Sequence, residues 1–188
     1  MYLTYKRGRA LAAGLAAKPR SLFAPVRQEL RAFPSVCAAL GHINNARYLD
    51  LASLGRLTWF ARSGLAPQLF RERYRFLIVG AAVTYRREIP CWAPFFLETR
   101  LVEYDERWVC FLCSFELAQA PGVSTPRVAA RVLTRGQLRK RAGTGSLPSL
   151  LSASGRVVEP CPPLPEDVAE QLKVQDLTVD VIRRQEGR

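Results

Sequence analysis

The residues best suited to chemistry in this sequence lie in one short stretch, from Cys37 to Asp50. The stretch holds a thiol, the chain's only imidazole at His42, the Asn44–Asn45 pair and a carboxylate. An imidazole can act as a general base, and a thiol or a carboxylate can act as a nucleophile. The spacing favours structural roles instead. His42 suits a polar loop contact, either asparagine suits the N-cap of a following helix, and Asp50 suits a surface or partner-facing position.

The run Gly41-His42-Ile43-Asn44-Asn45-Ala46-Arg47-Tyr48-Leu49-Asp50 resembles the GHxNNxxYL signature of the hotdog-fold acyl-CoA thioesterases, which include the 4-hydroxybenzoyl-CoA thioesterases. The resemblance implies acyl-thioester chemistry, in which a carboxylate acts on water or directly on the thioester carbonyl. It also implies that N–H groups at the start of a central helix point at that carbonyl, and that the glycine allows close approach of the backbone. The matching site residues are Gly41, His42, Asn44, Asn45, Arg47 and Tyr48.

The catalytic carboxylate of that family is missing here. In the family the signature follows Asp-x-Asp-x-x, and the second Asp, three residues before the glycine, is the catalytic acid. The matching positions read Val36-Cys37-Ala38-Ala39-Leu40, so Ala38 occupies the acid position. Alanine can neither hold a proton nor attack a carbonyl, and the Cys37 thiol is expected to point elsewhere. We therefore predict a vestigial thioester site with no catalytic residue.

Similarity to the family extends well beyond the signature. Residues 83–89 and 94–101, with the turn at 103–107, resemble the central part of the subgroup of thioesterase superfamily member six and its bacterial relatives. The distal stretch 156–165 resembles the same subgroup. Together these segments cover about residues 24–172.

Hydrophobic periodicity predicts the same architecture independently of the motif. Residues 24–34 alternate as a strand, whereas residues 45–63 are apolar on nearly every side, which predicts a long buried helix closed by Gly64. A short helix from Pro67 to about Tyr74 follows. Four later segments are rich in β-branched and aromatic residues and predict an antiparallel meander: 75–88, 94–105, 107–119 and 127–139. We predict an α+β hotdog fold, a curled antiparallel sheet of about five strands wrapped around one long central helix.

Composition divides the chain into four parts. Residues 1–23 lack acids and form either a basic N-terminal extension or a mitochondrial presequence, which predicts a mitochondrial location with a cytoplasmic one as the alternative. Residues 24–141 form the hotdog domain. Residues 142–165 are rich in Gly, Ser and Pro and predict a flexible linker. Residues 166–188 predict an acidic tail with two short helices, 166–173 and 176–185.

The chain is strongly basic, with 28 Lys and Arg against 16 Asp and Glu and a net charge of +12. A field of this sign attracts polyanions such as RNA, anionic lipid or coenzyme A phosphates, and an ordinary solvated surface is the alternative. The basic residues concentrate in the N-terminal arm and in residues 121–146. The candidate polyanion contacts are Lys6, Arg7, Arg9, Lys18, Arg20, Arg127, Arg131, Arg135, Arg139, Lys140 and Arg141.

The five cysteines are scattered and odd in number, which argues against a disulfide framework. Cys110 and Cys113 lie in a predicted strand, where residues three apart point to opposite faces, so they make a poor zinc pair. We expect structural core cysteines and no metal or cofactor. Residues 76–83 are too few for a membrane-spanning helix, which needs roughly 20 apolar residues, and instead predict a buried strand.

These observations leave functions of different classes open. One is a thioesterase that hydrolyses fatty acyl-CoA or a similar thioester, either through an unrecognised acid or with weak retained activity. The favoured one is a pseudoenzyme that serves as a subunit of a larger mitochondrial assembly, with the mitochondrial ribosome or its assembly intermediates as host and rRNA along the basic arm. A third is binding of acyl chains or acyl-carrier protein without turnover. A free protein is expected to form a homodimer through its sheets, whereas protein subunits would cover that edge in an assembly.

Overall fold

The computed structural model describes Gly8 and residues 19–118, 127–140 and 143–185. Its strands are β1 (Val26–Arg31), β2 (Arg75–Tyr85), β3 (Pro94–Tyr104), β4 (Val109–Leu117), β5 (Arg127–Lys140) and β6 (Gly143–Thr144). Its helices are α1 (Arg47–Arg62), α2 (Ala66–Arg71), α3 (Leu147–Ala153) and α4 (Glu166–Gln185), with a 3-10 turn at Pro34–Val36. The candidates outside the described residues are Lys6, Arg7, Arg9, Lys18 and Arg141.

The strands form one antiparallel sheet in the order β1-β3-β4-β5-β2, with β6 paired to the end of β5. The predicted strands are therefore present, but the predicted simple meander is wrong. β3, β4 and β5 are successive neighbours, whereas β2 pairs with β5, with Tyr85 opposite Ala130. Because β3 pairs with β1 at one edge and with β4 at the other, β2 cannot pair with β3. Segment spacing cannot distinguish these two arrangements, because both use the same strands in the same chain order.

β2 is consequently an edge strand, which corrects the prediction that residues 76–83 are buried. Leu77, Ile78 and Val79 are 43–46% exposed. The register of β2 against β5 also shifts between Ile78 and Gly80, which marks a bulge. A run of apolar residues predicts a strand in either case, and only the position in the sheet decides how much of it is buried.

The sheet curls around α1, as predicted from the helix's nearly continuous apolar surface. Tyr48, Leu51, Leu54 and Trp59 are buried along its length. In the middle of the helix, Gly55 lies against β3, where an added Cβ would come 2.2 Å from Thr99 Oγ1. The absence of a side chain at Gly55 allows the helix to lie directly on the sheet. The helix ends at Arg62, and Gly64 adopts a φ of +74°, as expected for a glycine that closes a helix.

The C-terminal third is more ordered than its composition suggests. The segment predicted as a flexible linker contains β6 and α3, and Leu147, Leu150 and Leu151 of α3 are buried in the core. The two short helices predicted after Pro165 form one helix, α4. Val168 and Leu172 of α4 pack with sheet residues in a separate cluster. Within the described residues, no helix is both long and apolar enough to cross a membrane.

Candidate functional site

Backbone pairing joins the start of the signature segment to two other segments, one at Cys37 and one at residues 89–91. Cys37 pairs with Ile43 in an isolated bridge, and the Ile43 N–H donates to Ile89 O at 3.0 Å. The Cys91 N–H donates to Gly41 O at 2.7 Å. Gly41 adopts a φ of +80°, and no described atom lies within 4 Å of an added Cβ there. Within the chain, the glycine is therefore required by its left-handed backbone rather than by the close approach predicted from the resemblance.

Backbone N–H groups at the start of α1 donate hydrogen bonds to Asn44 and Asn45. Asn44 Oδ1 accepts from the Ala46 N–H at 3.0 Å, and Asn44 O accepts from the Arg47 N–H at 2.9 Å. Asn45 O accepts from the Tyr48 N–H and also from the Tyr85 hydroxyl, at 2.9 Å. The residue at the N-cap is Ala46 rather than either asparagine, although the Asn44 side chain still binds the first turn. Of the N–H groups expected to face a thioester carbonyl, those of Ala46 and Arg47 are thus engaged within the chain, and that of Asn44 donates to Val36 O at 2.9 Å.

The position of the family's acid is part of a tight turn. The Ala38 N–H donates to His42 O at 2.8 Å, and Ala38 O accepts from the Gly41 N–H at 3.0 Å. The neighbouring Cys37 thiol donates to Phe33 O at 3.3 Å. Burial and a hydrogen bond to Cys91 raise the pKa of Cys37 to about 11, so its thiol is protonated at neutral pH. A protonated thiol is a poor nucleophile.

A cleft of about 290 Å³ opens beside the signature, and it contains a carboxylate that sequence reasoning missed. Its lining includes His42, Tyr48, Tyr85 and Glu88. Glu88 Oε1 lies 3.9 Å from His42 Nδ1, and the Glu88 side chain is 76% exposed. Glu88 follows β2 and is remote from the signature in sequence, so only the folded chain brings the two groups together. The one available signal was its place in the stretch at residues 83–89 that resembles the family.

The remaining signature residues have structural partners. Tyr48 is buried, and its ring packs edge-on against Tyr85 and Phe115, with centroids 5.3 and 4.9 Å away. Burial, with smaller contributions from nearby Tyr85 and Glu88, raises the pKa of Tyr48 to about 12. Its hydroxyl therefore stays protonated at neutral pH and can only donate or accept a hydrogen bond. Arg47 forms an exposed ion pair with Asp50 at 2.9 Å.

Several of the predicted polyanion contacts bind acids within the chain. Arg131 pairs with Asp167 at 2.9 Å, and Lys140 pairs with Glu72 at 2.5 Å. Arg135 is only 6% exposed and pairs with Asp176, while its guanidinium lies 4.7 Å from the Trp108 ring centroid. These three side chains are structural in this arrangement. The predicted contacts that stay exposed in the described part of the chain, without an acidic partner there, are Arg20, Arg127 and Arg139.

One arginine outside the predicted set lies directly opposite Arg139, and a second lies two residues earlier in the chain. Arg75 is directly opposite Arg139 in the β2–β5 register, and Arg73 precedes it in an exposed turn with a φ of +55°. All three side chains are exposed, and none forms an ion pair with a described acid. Like charges placed directly opposite on neighbouring strands repel each other, so a bound anion would stabilise this arginine cluster (Arg73, Arg75 and Arg139). The sequence signal was the alternation of arginines at 71, 73 and 75.

Comparison with known proteins identifies the family of this chain. The model of the Thioesterase-like superfamily matches residues 34–172. The chain belongs to this superfamily. Protein THEM6 of Xenopus laevis is 28% identical over 149 residues, which cover 79% of this chain and 67% of that protein. Protein THEM6 of Danio rerio is 28% identical over 147 residues, which cover 78% and 68%. The predicted superfamily and THEM6-like subgroup are confirmed.

Solved structures confirm the predicted hotdog fold. The hypothetical protein TT1821 from Thermus thermophilus has a TM-score of 0.60 at 16% identity, covering 72% of this chain and 100% of that one. The gentisyl-coenzyme A thioesterase BH1999 has a TM-score of 0.55 at 15% identity, covering 69% and 98%. SAV2348 from Staphylococcus aureus, solved in complex with CoA, has a TM-score of 0.59 at 11% identity, covering 77% and 94%. At these identities the likeness extends to the fold alone.

Proposed function

We propose that this member of the superfamily is catalytically impaired and acts as a binding or structural subunit. The observation that carries the proposal is Ala38 in the acid position, within a turn whose backbone hydrogen bonds are made inside the chain. The engaged donors at the start of α1 and the protonated Cys37 thiol support it. Such a site can hold an acyl-CoA or an acyl-carrier protein without hydrolysing the thioester.

An assay of the purified chain with short, medium and long acyl-CoAs tests the impairment. We expect no hydrolysis above background by the native chain and a gain in the Ala38→Asp variant. The matched control is Ala39→Asp, which adds the same carboxylate one residue away from the acid position. Hydrolysis by the native chain at a rate typical of the family would contradict the proposal, and so would an equal gain in both variants.

The favoured host of the subunit is a mitochondrial assembly, with the mitochondrial ribosome or its assembly intermediates first among the possibilities. The net charge of +12 and the arginine cluster support contact with rRNA, because arginine binds phosphate oxygens through its planar fork. The acid-free N-terminal arm supports the mitochondrial location. The exposed edge of β2 would then be covered by a protein subunit, or by a second copy when the protein is free.

Sedimentation of native mitochondrial extract tests the host. We expect the protein to co-sediment with ribosomal particles and to leave them after RNase treatment. The double variant Arg75→Gln/Arg139→Gln should weaken RNA binding and reduce its salt dependence, whereas Arg100→Gln, which removes an arginine already paired with Glu98, should not. A free homodimer without nucleic acid would contradict this part of the proposal and leave the impairment unaffected.

One observation favours a second candidate, an active thioesterase. Glu88 supplies a carboxylate to the cleft beside His42, and a carboxylate in such a place can act as a general base toward water. Its exposed position and its distance from His42 distinguish it from a buried, oriented acid. Removal of Glu88 separates this candidate from the favoured one, because only a thioesterase that uses Glu88 would lose its hydrolysis in Glu88→Gln.

A further inference from the structure

Two of the free cysteines, Cys37 and Cys91, meet beside the signature although they are remote in sequence. The Cys37 thiol lies 3.6 Å from Ala32 O, and the same carbonyl accepts from the Trp92 N–H at 2.6 Å. Trp92 follows Cys91 in the chain, so both cysteines lie around one carbonyl group. Their thiols also contact each other through a hydrogen bond. Two sulfur atoms in contact need only a small further approach to reach the bonded distance of about 2.0 Å.

Backbone hydrogen bonds hold the two cysteines on segments that flank the start of the signature. On one side the Ala38 N–H, next to Cys37, donates to His42 O at 2.8 Å. On the other side the Cys91 N–H donates to Gly41 O at 2.7 Å. Gly41 has no side chain that could separate Cys91 from Cys37. The contact between the thiols is therefore built into the pairing of the main chain.

Both thiols of this pair can be reached by a small oxidant. Cys37 and Cys91 are each partly exposed, whereas Cys110 and Cys113 are fully buried and belong to separate core clusters. Cys161 is exposed, and its thiol donates to a backbone carbonyl at the end of β3. All five cysteines lie in the described part of the chain. The chain therefore carries one accessible pair of thiols and one accessible single thiol for comparison.

We propose that Cys37 and Cys91 form a reversible disulfide when the chain meets a peroxide. The peroxide oxidises one thiol to a sulfenic acid and releases one water. The second thiol then attacks that sulfur, the S–S bond forms, and the sulfenic hydroxyl leaves as a second water with the proton of the attacking thiol. The oxidation begins at Cys91, because the Cys37 thiol stays protonated at neutral pH. A dithiol reductant reverses the step and is itself oxidised to a disulfide.

The disulfide joins the segment before the signature to the segment that follows Glu88. These segments flank the cleft that His42 and Glu88 line, so the bond restricts how far the cleft can open. The link does not involve Ala38 and uses no thioester chemistry. It therefore goes beyond the proposed function and holds whether or not the chain hydrolyses acyl-CoA.

Peptide mapping of the native full chain tests the proposal. Trypsin cleaves after Arg and Lys, so it places Cys37 in a peptide of residues 32–47 and Cys91 in a peptide of residues 88–100. After treatment with hydrogen peroxide we expect these two peptides to be joined, with a mass two hydrogens below their sum, and dithiothreitol should separate them. The oxidised chain should also unfold at a temperature higher by roughly 5 °C, because a disulfide restricts the unfolded chain.

Two single substitutions and a matched control assign the linked residues. Cys91→Ser should abolish the linked peptide, and Cys37→Ser should leave a sulfenic acid at Cys91 that dimedone traps. Cys161→Ser should keep the link, because that thiol lies outside the pair. No linked peptide at a peroxide concentration that oxidises Cys161, or a link of either peptide to Cys161 alone, would overturn the proposal. The decisive measurement is made on the native chain, so it does not depend on whether a variant folds.

Discussion

Glu88 Oε1 lies 3.9 Å from His42 Nδ1, and the two residues come from separate segments that pair through a bridge between His42 and Pro90. This pair places a carboxylate in the cleft beside the signature, whereas the position that the resemblance assigns to the family's acid holds Ala38. A carboxylate and an imidazole, two groups that can carry out acid–base chemistry, therefore lie together in this cleft.

Combining substitutions at the two positions decides which carboxylate can act. We expect Ala38→Asp to raise kcat/KM for acyl-CoA by at least about 100-fold over background, because general acid–base catalysis typically contributes that much. The gain should persist in Ala38→Asp/Glu88→Gln. Glu103→Gln, which changes another glutamate, is the control. A native rate that is lost in Glu88→Gln would show that Glu88 is the acting carboxylate, and the impairment would be refuted.

The two asparagines of the signature should differ in their effect on stability. Asn44 uses its side chain to accept from the Ala46 N–H, whereas Asn45 uses only its main-chain carbonyl in the bonds described. We expect Asn44→Ala to lower the free energy of unfolding by about 1 kcal/mol, as for the loss of a helix cap. Asn45→Ala should change it by less than about 0.5 kcal/mol, which is typical of surface substitutions. Urea unfolding measures both, and equal losses would show that the Asn44 side-chain bond does not stabilise the first turn of α1.

Gly55→Ala should destabilise the fold although alanine is the better helix former. The added methyl group would lie 2.2 Å from Thr99 Oγ1 and 3.3 Å from Leu97 Cδ2. Overpacking of this kind costs about 1–3 kcal/mol, which exceeds the roughly 1 kcal/mol that helix propensity favours. The double variant Gly55→Ala/Thr99→Ala removes the clashing oxygen and should recover part of the loss. Additive losses in this double-mutant cycle would contradict the proposed contact.

Stability should fall at alkaline pH because of the buried thiols. Burial raises the pKa of Cys110 from 9.0 to about 12, and that of Cys37 from 9.0 to about 11. A raised folded-state pKa contributes stability that is fully present below the unfolded value and is lost as pH rises toward the folded value. Urea unfolding between pH 8 and 11, a range that spans the reference thiol pKa, should therefore show declining stability above pH 9. Cys110→Ala should flatten the decline, and exposed Cys161→Ala should not.

The attachment of α4 to the sheet depends on the buried guanidinium of Arg135. Asp176 pairs with Arg135, whose side chain is almost wholly buried, whereas Asp167 pairs with Arg131 on the surface. Asp176→Asn leaves a buried guanidinium without its carboxylate and should cost about 1–3 kcal/mol. Asp167→Asn, the matched control, should cost under about 1 kcal/mol. Hydrogen exchange across residues 166–179 would locate the loss, and equal protection in both variants would contradict this account.

Local chemistry made much of the fold predictable. The apolar surface of residues 45–63 predicts a buried helix, and the β-branched segments predict the strands, because each pattern depends on neighbours within a few residues. α3 was missed because Gly, Ser and Pro dominate its surroundings, although Leu147, Leu150 and Leu151 have helical spacing. The sequence also predicted two helices where the structure has the single helix α4.

The sequence by itself determined the family, the helix and strands, and the alanine at the position that the resemblance assigns to the acid, since all of these follow from residue types at fixed spacing. Only the tertiary structure decided that β2 lies at the sheet edge, that Glu88 reaches His42, and that Arg131, Arg135 and Lys140 bind acids within the chain. Each of these depends on which distant segments come within a few ångströms. Such pairings are set by packing of the whole chain and leave no periodic signal in any one segment.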